Sequence, residues 1–185
     1  TLMRSSAASD VYKRQILFVA RIVPEKGLHY LIEAFKQLDT DKHLVIAGGN
    51  SHSQEYMNEI EEMVSTDSRI LMTGFVSGKV LEELYSNAYM FVLPSDVEGM
   101  AVSLLEAMSY GNCCVISDID ENTEVVGQNA IAFQKSNVEE LKKVMQDLVD
   151  DVAKRDYYKS TSRDYICSKY DWDTVVEKTL KLYVR

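Results

Sequence analysis

Two carboxylates and two cations are the side chains of this sequence whose types and spacing could do chemistry. Glu98 follows the apolar run at 89–93, and Glu106 stands inside a second apolar run, between Leu104-Leu105 and Ala107-Met108. A carboxylate on an apolar helix face is costly unless something pairs with it. Glu106 is therefore expected to accept a core hydrogen bond or to bind a ligand; a partly exposed helix-face carboxylate is the plainer alternative. Gly99-Met100-Ala101 lies between the two and opens the helix. The first backbone N–H groups there have no intrahelical acceptor and could serve a phosphate or sugar oxygen. Glu98 would then accept from hydroxyl donors in the same space, unless it only caps the helix dipole. Arg21 and Lys26 lie in Arg21-Ile-Val-Pro-Glu-Lys-Gly27, after another apolar run and before a helix start. Two cations and a helix N-terminus suit a diphosphate clamp; solvated charges around a Pro turn would explain them equally simply. Gly74 opens a third loop, in which Phe75 and Val76 could present main-chain groups to a base edge or merely end a strand.

These residues need elements that bring them together. Short continuous apolar runs at 15–20, 43–47, 69–73, 89–93, 113–117 and 130–133 read as strands buried on both faces. Between and after them, helical spacing covers 28–38, 54–64, 80–88, 102–110, 123–126, 138–149 and 153–168. A last helix runs from Asp171-Trp172-Asp173 through Tyr183, with an acidic N-cap and Trp172 as a packing anchor. Alternation of this kind predicts βαβ units and a doubly wound, Rossmann-like α/β domain: a parallel sheet of about six strands with helices on both faces. Ligands in that class bind beyond the C-terminal strand ends, so the loops at 21–27, 48–53, 74–79, 94–101 and 118–122 are the places to look.

The 185 residues suit one domain, with no internal repeat or linker within 15–185. Ser5-Ser-Ala-Ala-Ser9 is low-complexity and without periodicity, and residues 1–14 read as a non-native or disordered leader. Twenty basic against 29 acidic residues give a net charge of −9, which argues against nucleic acid or an anionic membrane surface. Cys113, Cys114 and Cys167 lack metal-ligand spacing, so no metal site is expected; Cys113 and Cys114 read as core, and a cytoplasmic location is the default. No apolar run has membrane-spanning length. His29, His43 and His52 join no triad-like arrangement, there is no Gly-x-Ser-x-Gly elbow, and the loop after the first strand is neither a dinucleotide fingerprint nor a Walker loop.

Taken in order, Arg21-x-x-Pro-Glu-Lys-Gly27, the strand Leu44-Val-Ile-Ala-Gly48, Thr73-Gly-Phe-Val76 and Glu98-x7-Glu106 resemble family-4 (group 1) retaining glycosyltransferases. The likeness spans about residues 15–185 and is specific in its combination. It implies the C-terminal, donor-binding half of a two-domain GT-B enzyme. Arg21 and Lys26 would neutralise the donor diphosphate, Glu98 would hold sugar hydroxyls, Glu106 the ribose hydroxyls, and the amides of Met100 and Ala101, beside Gly99, the sugar and phosphate. Val76 would meet the base through its main chain, with Gly48 part of the same substrate-binding surface. The family needs no metal or other cofactor. Its donor is a nucleotide-diphosphate sugar, UDP-hexose by family frequency and GDP-mannose next. Its acceptor, a sugar, lipid-linked or polysaccharide hydroxyl, sits on an N-terminal domain that this sequence lacks. Any membrane association would come through that half, and the chain alone should turn over poorly. Ala101 departs from the Gly or Pro often found there. A nucleotide-sugar epimerase of the same fold, or a non-catalytic nucleotide-binding module, are the rival readings.

Overall fold

The computed structural model describes residues 15–49 and 53–183. The expectations for the 1–14 leader and for His52 lie outside these residues, as does that for the Trp172 side chain.

Six strands form one parallel sheet: β1 (Ile16–Val19), β2 (Leu44–Ala47), β3 (Ile70–Gly74), β4 (Met90–Leu93), β5 (Cys114–Ser117) and β6 (Ile131–Phe133), in the order β3-β2-β1-β4-β5-β6. Eight helices of the described residues are α1 (Leu28–Lys36), α2 (Gln54–Ser65), α3 (Lys79–Asn87), α4 (Val102–Ser109), α5 (Asp120–Val126), α6 (Val138–Asp150), α7 (Val152–Lys169) and α8 (Trp172–Tyr183). Alternating strand residues feed two cores. Ile16, Phe18, Leu44, Ile46, Met90, Val92 and Val115 pack under α1, α2 and α6. Leu17, Val45, Phe91, Leu93, Cys114 and Ile116 pack under α3, α4, α5 and α7. This two-sided burial is why the strands read as continuous apolar runs rather than as alternations.

All six strands start one residue later than the apolar runs. Gln15, His43, Arg69 and Cys113 stand just before them, yet their carbonyls accept from Tyr89, Ile16, Leu44 and Phe91 of neighbouring strands or strand entries. Helix α5 begins at Asp120 rather than Thr123, with Asp120 and Glu121 complementing its N-terminal dipole. A 3₁₀ turn at Pro24–Lys26, with Pro in its first position, occupies part of the loop after β1. Asp171 caps α8 as expected, accepting from the Thr174 amide at 3.1 Å. Among the described residues no helix is long and apolar enough to cross a membrane.

The chain order reverses between β1 and β4, which lie side by side at the centre of the sheet. Their exit loops, 21–27 and 94–101, therefore share the crevice where this class of sheet binds ligands.

Candidate functional site at the β1–β4 crevice

Topology brings two of the predicted residues into contact. Lys26, at the end of the 3₁₀ turn, places Nζ 2.7 Å from Glu98 Oε1, and both side chains are largely sheltered, 14% and 6% exposed. The close approach of the two loops depends on Gly27. It has φ +65°, in the left-handed region, and a Cβ there would lie 2.1 Å from the Pro94 carbonyl oxygen. The Asp96 amide also donates to the Glu25 carbonyl at 2.8 Å. Its carboxylate accepts from the Tyr30 hydroxyl at 3.3 Å and from Ser136 Oγ at 2.8 Å. The loop after β4 is thus tied to α1 and to the loop after β6.

Beneath Glu98 runs a buried polar chain. Ser95 Oγ donates to Glu98 Oε1 at 2.7 Å. Ser117 Oγ donates to the Ser95 carbonyl, and Asn122 Nδ2 donates to Ser117 Oγ at 3.2 Å. Ser95, Ser117 and Asn122 are fully buried. Glu98 Oε1 therefore has two partners, whereas Oε2 has none among the described residues.

Glu106 lies on α4, and its carboxylate has one partner among the described residues: the Tyr85 hydroxyl of α3 donates to its Oε2 at 2.9 Å. Tyr85 is buried and stacks on Tyr110, with ring centroids 5.5 Å apart. Burial, and then the Glu106 charge, push the Tyr85 phenol well above its ordinary range, so it stays a hydrogen donor. Glu106 is half-buried and combines the two roles weighed for it, a hydrogen-bond acceptor with one oxygen to spare.

The other predicted residues fall around this pair. Arg21 is exposed at the end of β1. The amides of Met100 and Ala101 donate to no described residue, while the Ala101 carbonyl starts α4 by accepting from Leu104 and Leu105. Gly99 and Met100 are exposed, and Ala101 is buried. Gly48 has a packing reason for being glycine, since a Cβ would lie 1.9 Å from the Ala20 carbonyl oxygen. Its amide donates to the Gly74 carbonyl at 3.0 Å, holding the β2 and β3 exits together. Val76 packs partly against the second core, and Phe75 before it is 81% exposed.

Sequence reasoning missed Ser95, Tyr85, Asp96, Ser117 and Asn122. Ser95, three residues before Glu98 at the end of an apolar run, carried the one local signal: a hydroxyl placed to reach that carboxylate. Three other features have structural accounts. His29 Nδ1 lies 2.8 Å from the Tyr56 hydroxyl, joining α1 to α2, and burial pushes that phenol up to about 12. Cys113 and Cys114 are buried, as expected, with thiols pushed up by burial, that of Cys113 to about 12. A cavity of about 650 Å³ beside Lys42, Tyr89, Arg155 and Lys159 lies at the opposite, N-terminal ends of the strands. Its cations are already engaged: Lys42 with Asp41, Arg155 with Asp156 at 2.6 Å, and Lys159 with the Ala88 carbonyl at 3.1 Å.

Comparison with known proteins points to one family. The family model described as glycosyl transferases group 1 matches residues 2–165. An uncharacterised glycosyltransferase of Methanocaldococcus jannaschii is 27% identical over 174 residues, 92% of this chain and 45% of the relative. The O-antigen chain mannosyltransferase B of Escherichia coli is 26% identical over 173 residues, 90% of this chain and 45% of the relative. Among solved structures, Anabaena HepE in complex with UDP and glucose superposes with a TM-score of 0.87 at 19% identity, covering 96% of this chain and 50% of that one. The chain spans about half the length of the relatives it matches.

Proposed function

This chain belongs to the glycosyl transferases group 1, and on that premise we propose that its β1–β4 crevice is the donor site of a retaining glycosyltransferase that takes a nucleotide-diphosphate sugar. The observation that carries this reading is the Lys26–Glu98 pair at the topological switch point, with Glu98 Oε2 unengaged among the described residues. A cation beside the developing diphosphate charge and a carboxylate beside sugar hydroxyls are what departure of a nucleotide from an anomeric carbon requires. In this reading Lys26 and Arg21 take the diphosphate and the Met100 and Ala101 amides help hold it. Glu98 orients the sugar through Oε2, Glu106 accepts from the ribose, and main-chain groups near Val76 and Gly48 meet the base.

The donor is a UDP-hexose, a choice supported by the UDP-bound structural neighbour. Leaving-group charge is met by side chains and amides, so the site works without a metal or other cofactor. The acceptor hydroxyl is presented by a second domain, and the chain by itself binds donor without efficient transfer. The family's reaction class favours transfer over epimerisation; release of an epimerised sugar nucleotide would reverse that preference.

Calorimetric titration with UDP, GDP and ADP, then with UDP-glucose, UDP-N-acetylglucosamine and GDP-mannose, tests the site. Saturable binding to one nucleotide is expected, weakened about tenfold by Glu106→Gln and unchanged by a chelator. If no nucleotide binds even after a second domain is restored, the donor-site reading fails.

A further inference from the structure

Glu98 and Glu106 stand on different elements, yet each carboxylate is held the same way. One oxygen accepts from a buried protein hydroxyl and the other has no partner among the described residues: Ser95 Oγ to Glu98 Oε1 at 2.7 Å, and the Tyr85 hydroxyl to Glu106 Oε2 at 2.9 Å. A carboxylate rotates freely about its last bond unless one oxygen is fixed. Fixing one oxygen sets where the other must lie, and so which ligand hydroxyl it can accept from.

Neither hydroxyl is free to do otherwise. Ser95 is fully buried, and its carbonyl is held by Ser117, itself held by Asn122. Tyr85 is 1% exposed and its ring is stacked on Tyr110.

We propose that Ser95 and Tyr85 are positioning residues for two separate parts of the donor. Ser95 aims Glu98 at the sugar, and Tyr85 aims Glu106 at the ribose. The proposal rests on the donor-site reading above and goes beyond it by splitting recognition into two independently tunable contacts. Neither residue touches the ligand; each acts through its carboxylate. Ser95 also completes the shell around the Oε1 that Lys26 approaches, which fixes the pair at one oxygen and keeps the second for the ligand.

The test is a paired titration of the chain with UDP and UDP-glucose, each run on wild type, Ser95→Ala, Ser95→Thr and Tyr85→Phe, with thermal unfolding of every variant. Ser95→Ala should leave the UDP dissociation constant within twofold and cancel the extra affinity that glucose confers, while Ser95→Thr, which keeps the hydroxyl, restores it. Tyr85→Phe, which keeps the ring and its stacking, should weaken UDP and UDP-glucose by the same factor, about five- to tenfold. If the wild type selects GDP or ADP, the same pair of readings is taken with that nucleotide and its sugar. Equal losses for both ligands in Ser95→Ala, or unchanged affinity in both variants, would overturn the proposal while leaving the donor site standing. Wild-type protein that binds no nucleotide even with a second domain restored would overturn the donor-site reading and this proposal with it.

Discussion

Two ion pairs of nearly equal length sit at opposite ends of the sheet. Lys26–Glu98 spans 2.7 Å beyond the C-terminal ends of β1 and β4, and Arg69–Asp67 spans 2.8 Å beside the N-terminal end of β3. Around Arg69 each guanidinium nitrogen has acceptors. Nε and Nη2 reach the Asp67 carboxylate, Nη1 donates to the Leu38 and Thr40 carbonyls, and Nη2 also reaches the Lys36 carbonyl. The guanidinium lies 4.9 Å over the Phe35 ring. This cluster closes the C-terminal end of α1 onto the start of β3. The Lys26–Glu98 pair is more sheltered, its side chains 14% and 6% exposed against 29% and 14%, yet it is less complete, because Glu98 Oε2 has no described partner. Burying a pair costs desolvation that only further hydrogen bonds offset. A stabilising pair should therefore be the better satisfied of the two, as Arg69–Asp67 is. In the donor-site reading proposed above, the more buried and less satisfied pair is the one whose remaining valence a ligand takes.

The sharpest way to break this contrast is at Lys26. In a two-domain enzyme carrying this half, Lys26→Ala should lower kcat about 100- to 1,000-fold, the scale seen when one preorganised charge-stabilising donor is lost. The folding stability of the chain should fall as well, by about 1–3 kcal/mol, because Glu98, 6% exposed, loses its cation and keeps the Ser95 hydroxyl. Steady-state kinetics and urea unfolding of the same variant give both numbers. A large stability loss with kcat intact would make Lys26–Glu98 a structural pair like the other.

Arg69→Ala should show the reverse. Losing it strands the Leu38 and Thr40 carbonyls, uncovers Phe35 and leaves Asp67 without its cation, a loss of about 2–3 kcal/mol. Nucleotide affinity should stay within twofold, since the pair lies at the far end of the sheet from the β1–β4 crevice. Chemical denaturation beside calorimetric titration checks it; a tenfold loss of affinity would mean that the two ends are coupled and the contrast is false.

Much of this arrangement was legible in the residues, and the part that was not has a common cause. The six apolar runs became six strands, because a strand buried on both faces needs apolar residues throughout, as β2 and β4 have. Gly27 ends the loop read as a candidate diphosphate clamp, and the close approach it makes is to the Pro94 carbonyl of the neighbouring loop. Periodicity says nothing of strand order, and it is the adjacency of β1 and β4 that carries Lys26 to Glu98. Tyr85 reached Glu106 for the same reason: the contact crosses from α3 to α4 over 21 residues, and nothing in either helix alone announces it. Arg69 gave no signal because a single Arg opening a strand is unremarkable until the carbonyls ending α1 arrive beside it.

The smallest expected effect is in acid, and it concerns the closed pair. Hydrogen bonds from Arg69, opposed by burial, hold the Asp67 carboxyl below the ordinary aspartate value, which is about 4. A carboxyl depressed in the folded state contributes stability that is complete above the unfolded value and is lost as pH falls through the folded one. Between pH 5 and pH 2 the wild type should therefore lose more stability than Asp67→Asn, the excess being about 1 kcal/mol or less for a pair this near the surface. Other carboxylates titrate in the same range, so the quantity to read is the difference between the two urea-midpoint curves, which should narrow steadily as the pH falls. Parallel curves would mean that Asp67 does not need its charge to hold Arg69. The Arg69 cluster would then rest on the Leu38 and Thr40 carbonyls alone, and its contrast with the Lys26–Glu98 site would be one of hydrogen bonding rather than of ion pairing.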